Sequence, residues 1–144
     1  MNIETKFLGE VTIEQKEVIQ FPNGLPGFED IKEFVVLPLE EASPFAILQS
    51  IKQQEIGFVV AFPFVFKQDY AFDVTEEDKE ELKIEAPEDL ITYTIVTLKE
   101  PFNSSTLNLQ APVLINHKQK IAKQLVLHDA VAYPLRFPIE GGNV

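Results

Sequence analysis

The chain contains no cysteine. Disulfides, thiol nucleophiles and cysteine-ligated zinc or iron–sulfur centres are therefore excluded, and the composition points away from a small secreted scaffold held by disulfides. Histidine is scarce. The two present, His117 and His128, do not form the His-x-x-x-His pattern with which a helix offers two metal ligands on one face. His128 precedes Asp129, a pair that can orient a nucleophilic serine. None of Ser43, Ser50, Ser104 and Ser105 sits in a Gly-x-Ser-x-Gly elbow, however. Neither a Walker A loop nor a Gly-x-Gly-x-x-Gly turn occurs, so nucleotide binding has no basis in the sequence. No cofactor is expected.

Long apolar runs are also missing. The longest, Ile56 to Phe66, has 11 residues and includes Gly57 and Pro63, against the roughly 18–20 needed to cross a bilayer. It reads as a buried strand ending near the proline. The stretch Met1-Asn2-Ile3-Glu4-Thr5 lacks the basic and apolar regions of a signal peptide, so a cytoplasmic location is expected.

Positive charge is short as well: 12 Lys and Arg face 23 Asp and Glu, for a net charge of −11. The excess is concentrated. Between Asp69 and Asp89 lie ten acidic residues and only two lysines, Lys79 and Lys83. Nucleic-acid binding requires clustered cations that displace counterions from phosphates, and this field is the opposite. Direct contact with nucleic acid or an anionic membrane is not expected. A basic protein partner is favoured electrostatically, although an acidic surface also serves solubility alone.

What remains is a pattern of short apolar or alternating segments punctuated by Pro, Gly, Asn and Asp. Strands are predicted at Ile3–Phe7, Glu10–Ile13, Val18–Phe21, Phe34–Leu37, Phe45–Ser50, Gly57–Phe62, Thr92–Leu98, Thr106–Leu109, Val113–Ile115 and Ile121–Leu127, rich in the Val, Ile, Phe and Thr that suit a pleated surface. Regular short strands separated by turn residues, ten prolines among them, imply an all-β, mainly antiparallel, small barrel-like fold with one or two short helices. One domain over residues 1–144 is expected, monomeric when free, with the tail after about residue 138 frayed. Asn116-His117-Lys118 reads as a hairpin turn. Thr75–Leu82 reads as a helix, with Thr75 as N-cap and acids in the first turn. Single helical turns are predicted at Glu29–Glu33 and Pro87–Leu90.

Four segments carry candidate function. In Phe21-Pro22-Asn23-Gly24-Leu25-Pro26-Gly27-Phe28-Glu29, two glycines permit positive φ and two prolines fix it, giving a stiff loop. Leu25 and Phe28 either fold back as a core plug or stand out as a preorganised anchor, with Glu29 at its rim. In Leu107-Asn108-Leu109-Gln110-Ala111-Pro112 the leucines alternate inward. Asn108 and Gln110 then face outward, and Pro112 marks an edge able to recruit a peptide by strand addition; an ordinary strand before a turn is the alternative. Glu76, Glu77, Asp78, Glu80 and Glu81 form an acidic helical face. Finally, Asp69 and Asp73 flank Tyr70 and Phe72, an arrangement open to a sugar-binding or hydrolase reading that requires one acid held in an apolar pocket.

The Gly-Leu-Pro-Gly-Phe-Glu run over 24–29 also resembles the signature of the flagellar assembly factor FliW family. So do Thr5-Lys6-Phe7 with Gly9, Phe34–Leu39, Ser43-Pro44-Phe45, Leu48-Gln49-Ser50, Leu107–Pro112, Asn116 and Ala122-Lys123-Gln124. The likeness spans about residues 3–130. It implies a small barrel-like fold, a Gram-positive or similar bacterial origin and no enzymatic activity. It also implies two protein partners: the RNA-binding translational repressor CsrA, which such proteins sequester, and cytoplasmic flagellin, which sequesters them in turn. A gel-shift assay at low salt is expected to leave RNA unshifted by this chain alone; a tight complex would contradict the charge argument.

Overall fold

The computed structural model describes residues 1–139. Eleven strands are present: β1 (Asn2–Glu4), β2 (Glu10–Thr12), β3 (Ile19–Gln20), β4 (Glu33–Pro38), β5 (Phe45–Ser50), β6 (Gly57–Ala61), β7 (Leu90–Thr97), β8 (Thr106–Leu107), β9 (Val113–Asn116), β10 (Ile121–Gln124) and β11 (Phe137–Pro138). Two short helices, α1 (Pro63–Phe66) and α2 (Glu76–Glu81), separate β6 from β7. Seven strands close a barrel in the order β7-β6-β5-β4-β3-β10-β9, and β9 returns to β7 through the pairs Leu90↔Asn116 to Tyr93↔Val113. Every pair in the ring is antiparallel except β3–β10, which is parallel at Gln20↔Ile121. Closure removes the two edges that an open sheet of this size would expose.

The period of two along each strand sorts residues between the barrel interior and its outer wall. Ile19, Phe34, Leu48, Val60, Tyr93, Ile115 and Ala122, one from each ring strand, meet inside. The outer face is covered in three patches. The β1–β2 hairpin lays Ile3 and Ile13 over Val35. Tyr70, Leu107 and Leu109 pack on Ile47, Val59 and Val96. Leu82, just after α2, packs on Leu114 and Leu125. β5 and β6 are buried without alternation because both of their faces are covered.

The strands expected from sequence are present, with shifted ends. The Ile3–Phe7 strand stops at Glu4, and Phe7 is exposed where the chain bends toward Gly9. The Ile56–Phe66 run is a strand only to Ala61; Pro63 then serves as the first residue of α1, where its missing N–H costs nothing. Pro87–Asp89 forms the expected turn, as a 3₁₀ turn. The helical turn expected at Glu29–Glu33 does not form. Leu25 and Phe28 exchange backbone hydrogen bonds across a tight turn instead, and Glu33 already belongs to β4. Of the tail expected to fray after about residue 138, Ile139 donates to the Ser105 carbonyl at 3.1 Å, and residues 140–144 lie outside the described residues.

One buried polar side chain ties the covering N-terminal segment to the wall. Gln49 is fully buried on β5. Its Oε1 accepts from the Lys6 N–H at 3.0 Å, and its Nε2 donates to the Ser50 carbonyl at 3.0 Å, joining the N-terminal hairpin to the β5–β6 turn. Gly24 holds φ at +63°, and a Cβ there would lie 2.5 Å from the Phe28 carbonyl oxygen and 2.6 Å from the Glu29 Cα. Both obstacles are backbone, so neither can swing away. Gly24→Ala is therefore expected to lower Tm by roughly 10 °C in a thermal melt; an unchanged Tm would show the loop to be free of that constraint.

Candidate functional site

The acidic helix α2 begins as its sequence dictates. Thr75 Oγ1 accepts from the Asp78 N–H at 3.1 Å, and Glu76, Glu77 and Asp78 occupy the first turn, where carboxylates complement the helix dipole. A helix this short is unstable alone, so its position depends on what it touches. Three contacts fix it. Lys123 of β10 places its ammonium 2.6 Å from both Asp78 Oδ1 and Glu81 Oε2. Leu82 is buried against Leu114 and Leu125. Asn116 Nδ2 donates to the carbonyls of Leu82 at 2.8 Å and Lys83 at 3.1 Å, satisfying the helix end.

The Lys123 and Asp78 side chains are only 18 % and 17 % exposed. Burial works against the charge on each. For Asp78 the Lys123 ammonium and Thr75 overcome it and hold the carboxyl below its ordinary value. For Lys123 the two carboxylates overcome it and raise the ammonium. On the same helix Glu76 pairs with Lys79, while Glu77 and Glu80 have no ion-pair partner among the described residues and project into solvent. Nearby, Asp89 is buried. Lys118 at 2.9 Å depresses its carboxyl most, aided by the N–H groups of Glu85 and Ala86, which donate to Oδ2 at 3.1 Å each.

The other candidates fall differently. Leu25 is 2 % exposed and lies in the barrel core, and Phe28 packs edge-on against Phe58 at 5.5 Å. The Gly24–Glu29 loop is thus a plug in the barrel. Glu29 stays exposed at the surface and accepts from the Gly27 N–H at 2.8 Å. Asn108 does not face outward from an edge strand. β8 ends at Leu107 and is paired on both sides, by β7 and β11, and Asn108 Oδ1 accepts from the N–H groups of Gln110 and Ala111. Its short amide closes a turn in preference to extending the strand. Pro112 is buried, and its carbonyl accepts from Leu125.

Asp69 and Asp73 are both exposed, and Lys67, at 2.8 Å, keeps the Asp69 carboxyl below its usual value. A general acid needs the opposite shift. Tyr70 between them is buried. Its hydroxyl is pushed up by burial and donates to the Leu109 carbonyl at 2.7 Å, so it is a core residue and no sugar platform. His117 lies 2.9 Å from the Glu88 carbonyl through Nε2 and helps tie the turns together. Sequence reasoning named Asn116 as part of a turn and both Asn116 and Lys123 within the family resemblance, but gave neither its role at α2. The signal for Lys123 was available: it is the lone cation in the mostly apolar segment Ile121–Leu127, 42 and 45 residues from the carboxylates of Glu81 and Asp78 that it pairs with.

Beside α2 runs an open groove of about 720 Å³, lined by Phe72, Asp73, Thr75 and Asp78, by Lys123–Asp129 and by Tyr133.

Comparison with known proteins bears on the whole chain. A model of the FliW protein family matches residues 2–139. A flagellar assembly factor FliW of Bacillus licheniformis is 49 % identical over 141 residues, covering 98 % of each chain. The corresponding Bacillus subtilis protein is 45 % identical over 141 residues, again 98 % of each. A crystal structure of the flagellar assembly factor FliW superposes with a TM-score of 0.91 at 37 % identity, covering 96 % of both chains.

Asp78 and Asp89 are depressed in the folded state, so their contribution to stability is present above the ordinary aspartate value of 3.8 and disappears as pH falls through their lower folded values. Lys123 is raised, so its contribution persists through neutral pH and is lost only in strong alkali above 10.5. Tm is expected to fall as pH drops below about 4, and to fall less steeply in an Asp78→Asn, Asp89→Asn variant that starts from a lower neutral Tm. Parallel acid profiles for the two proteins would contradict this assignment.

Proposed function

The chain belongs to the FliW family of flagellar assembly factors, and on that premise we propose that it is a non-enzymatic cytoplasmic regulator. It sequesters the RNA-binding repressor CsrA and is itself sequestered by flagellin. Accumulated flagellin occupies the protein and frees CsrA to repress flagellin translation; export of flagellin reverses the exchange. The protein is monomeric when free and makes no direct contact with RNA.

The observation that carries this reading is the fixed acidic helix. An RNA-binding repressor presents cations to phosphates. A protein docked beside that surface opposes RNA if it holds negative charge there in a defined position. α2 has that property: Lys123 neutralises only its inner carboxylates and leaves Glu77 and Glu80 as an outward field. The acidity of the chain as a whole, −11, adds long-range steering toward a basic partner.

The same geometry shows how to test it. Reversing Glu81 would break an ion pair and confuse field with folding. Reversing Glu77 and Glu80 changes the field alone. In an RNA competition assay, Glu77→Lys with Glu80→Lys is expected to weaken antagonism of CsrA several-fold at low salt with Tm unchanged, and the difference should shrink as salt rises. Undiminished antagonism would remove α2 from the mechanism and leave contact through other surfaces.

A further inference from the structure

β10 is bonded along only part of its length on one side, and the sequence shows why. On its β9 side the ladder continues past the strand end: Leu125 N–H donates to the Pro112 carbonyl at 2.9 Å and Leu127 N–H to the Gln110 carbonyl at 2.7 Å. In an antiparallel ladder alternate residues turn their backbone groups to opposite sides. The N–H and C=O of Gln124 and Val126 therefore point the other way, toward β3. There the parallel pairing reaches only Gln20↔Ile121, with Gln20 N–H donating to the Lys120 carbonyl at 2.9 Å. The next bond of the ladder would need an N–H at position 22, and residue 22 is proline. The ladder stops, and the chain from Gln124 to Leu127 runs on as an unpaired edge.

That edge is one wall of the 720 Å³ groove. Val126 is 54 % exposed on it, and the turn after Asp129 borders one end of the groove, where Tyr133 lines it and donates to the Ala71 carbonyl at 2.7 Å. Proteins ordinarily blunt such an edge with lysine, proline or a covering segment. The one lysine lining the groove, Lys123, is held and neutralised by Asp78 and Glu81. The groove is instead rimmed by Asp73 and Asp129, both exposed, and by Asp78. Its free charge is negative.

We propose that the open side of Gln124–Leu127 is a strand-addition site for an extended segment of a partner protein that carries Lys or Arg at alternate positions. The segment's backbone pairs with the N–H and C=O of Gln124 and Val126. Its cations face Asp73 and Asp129, and an apolar side chain lies against Phe72 and Val126. The site requires only that chemistry. It is independent of the CsrA and flagellin reading and of the outward carboxylates of α2.

The test uses the full chain and a capped nine-residue peptide of alternating Lys and Val, with a Glu-for-Lys peptide as control. Amide hydrogen exchange is expected to slow at Gln124 and Val126 with the Lys peptide and not with the Glu peptide. Val126→Pro removes the donor at the centre of the edge without breaking an internal bond, and is expected to weaken binding at least tenfold. Should that variant melt early, Asp73→Lys with Asp129→Lys, both at exposed positions, is expected to invert the preference between the peptides. Equal binding of the two peptides, unaltered exchange at Gln124 and Val126, or unaltered affinity in a folded Val126→Pro protein would overturn the proposal. In each case the RNA competition result for Glu77 and Glu80 would stand unaffected.

Discussion

One buried amide joins the parts of this protein that bear on function. Asn116, at the end of β9, has no exposed surface. Its Nδ2 donates to the carbonyls of Leu82 and Lys83, and its Oδ1 accepts from the N–H groups of Lys118 and Gln119. All four capacities of the side chain used here are spent, which is the condition under which a buried polar group stabilises a structure. The amide closes the β9–β10 turn and caps α2 at once. The turn sets the register of β10, so that Lys123 faces α2 while Gln124 and Val126 point their backbone groups into the groove.

The charge distribution follows from that anchoring. Six residues of which five are acidic would repel one another as an isolated helix. Here the inner carboxylates are compensated by one half-buried lysine, and the outer ones stay free. The acidic surface consequently has a fixed place on a closed barrel. A fixed field loses little entropy on binding and discriminates sharply between a basic protein surface and a polyanion. The groove beside it is negative for the same reason.

The fold class was legible because period-two apolar alternation and regularly spaced turn residues leave few arrangements other than a small barrel. Thr75 as N-cap and Pro87 as the start of a turn were legible because these are local chemistry. The same confidence in local pattern misplaced Asn108. Its neighbours Leu107 and Leu109 are both buried, as alternation requires, yet they reach the core from a strand end and a turn. Asparagine's amide can serve a turn as readily as it can stand outward from a strand, and spacing alone does not distinguish the two. The left-handed backbone at Gly24 was legible, but whether Leu25 pointed in or out depended on space inside the barrel that no local pattern records.

Strand content, turn positions, the excess of carboxylates and the need for left-handed backbone at Gly24 are written in short stretches of residues, because each reflects interactions within a few positions along the chain. Three matters were settled by closure of the barrel: which lysine meets α2, which face of Leu25 is buried, and which edge is left unpaired. Each depends on residues between about twenty and one hundred positions apart being brought to one place, as Pro22 and Ala122 are. An edge is open or filled only relative to a neighbour, and only the folded chain supplies the neighbour.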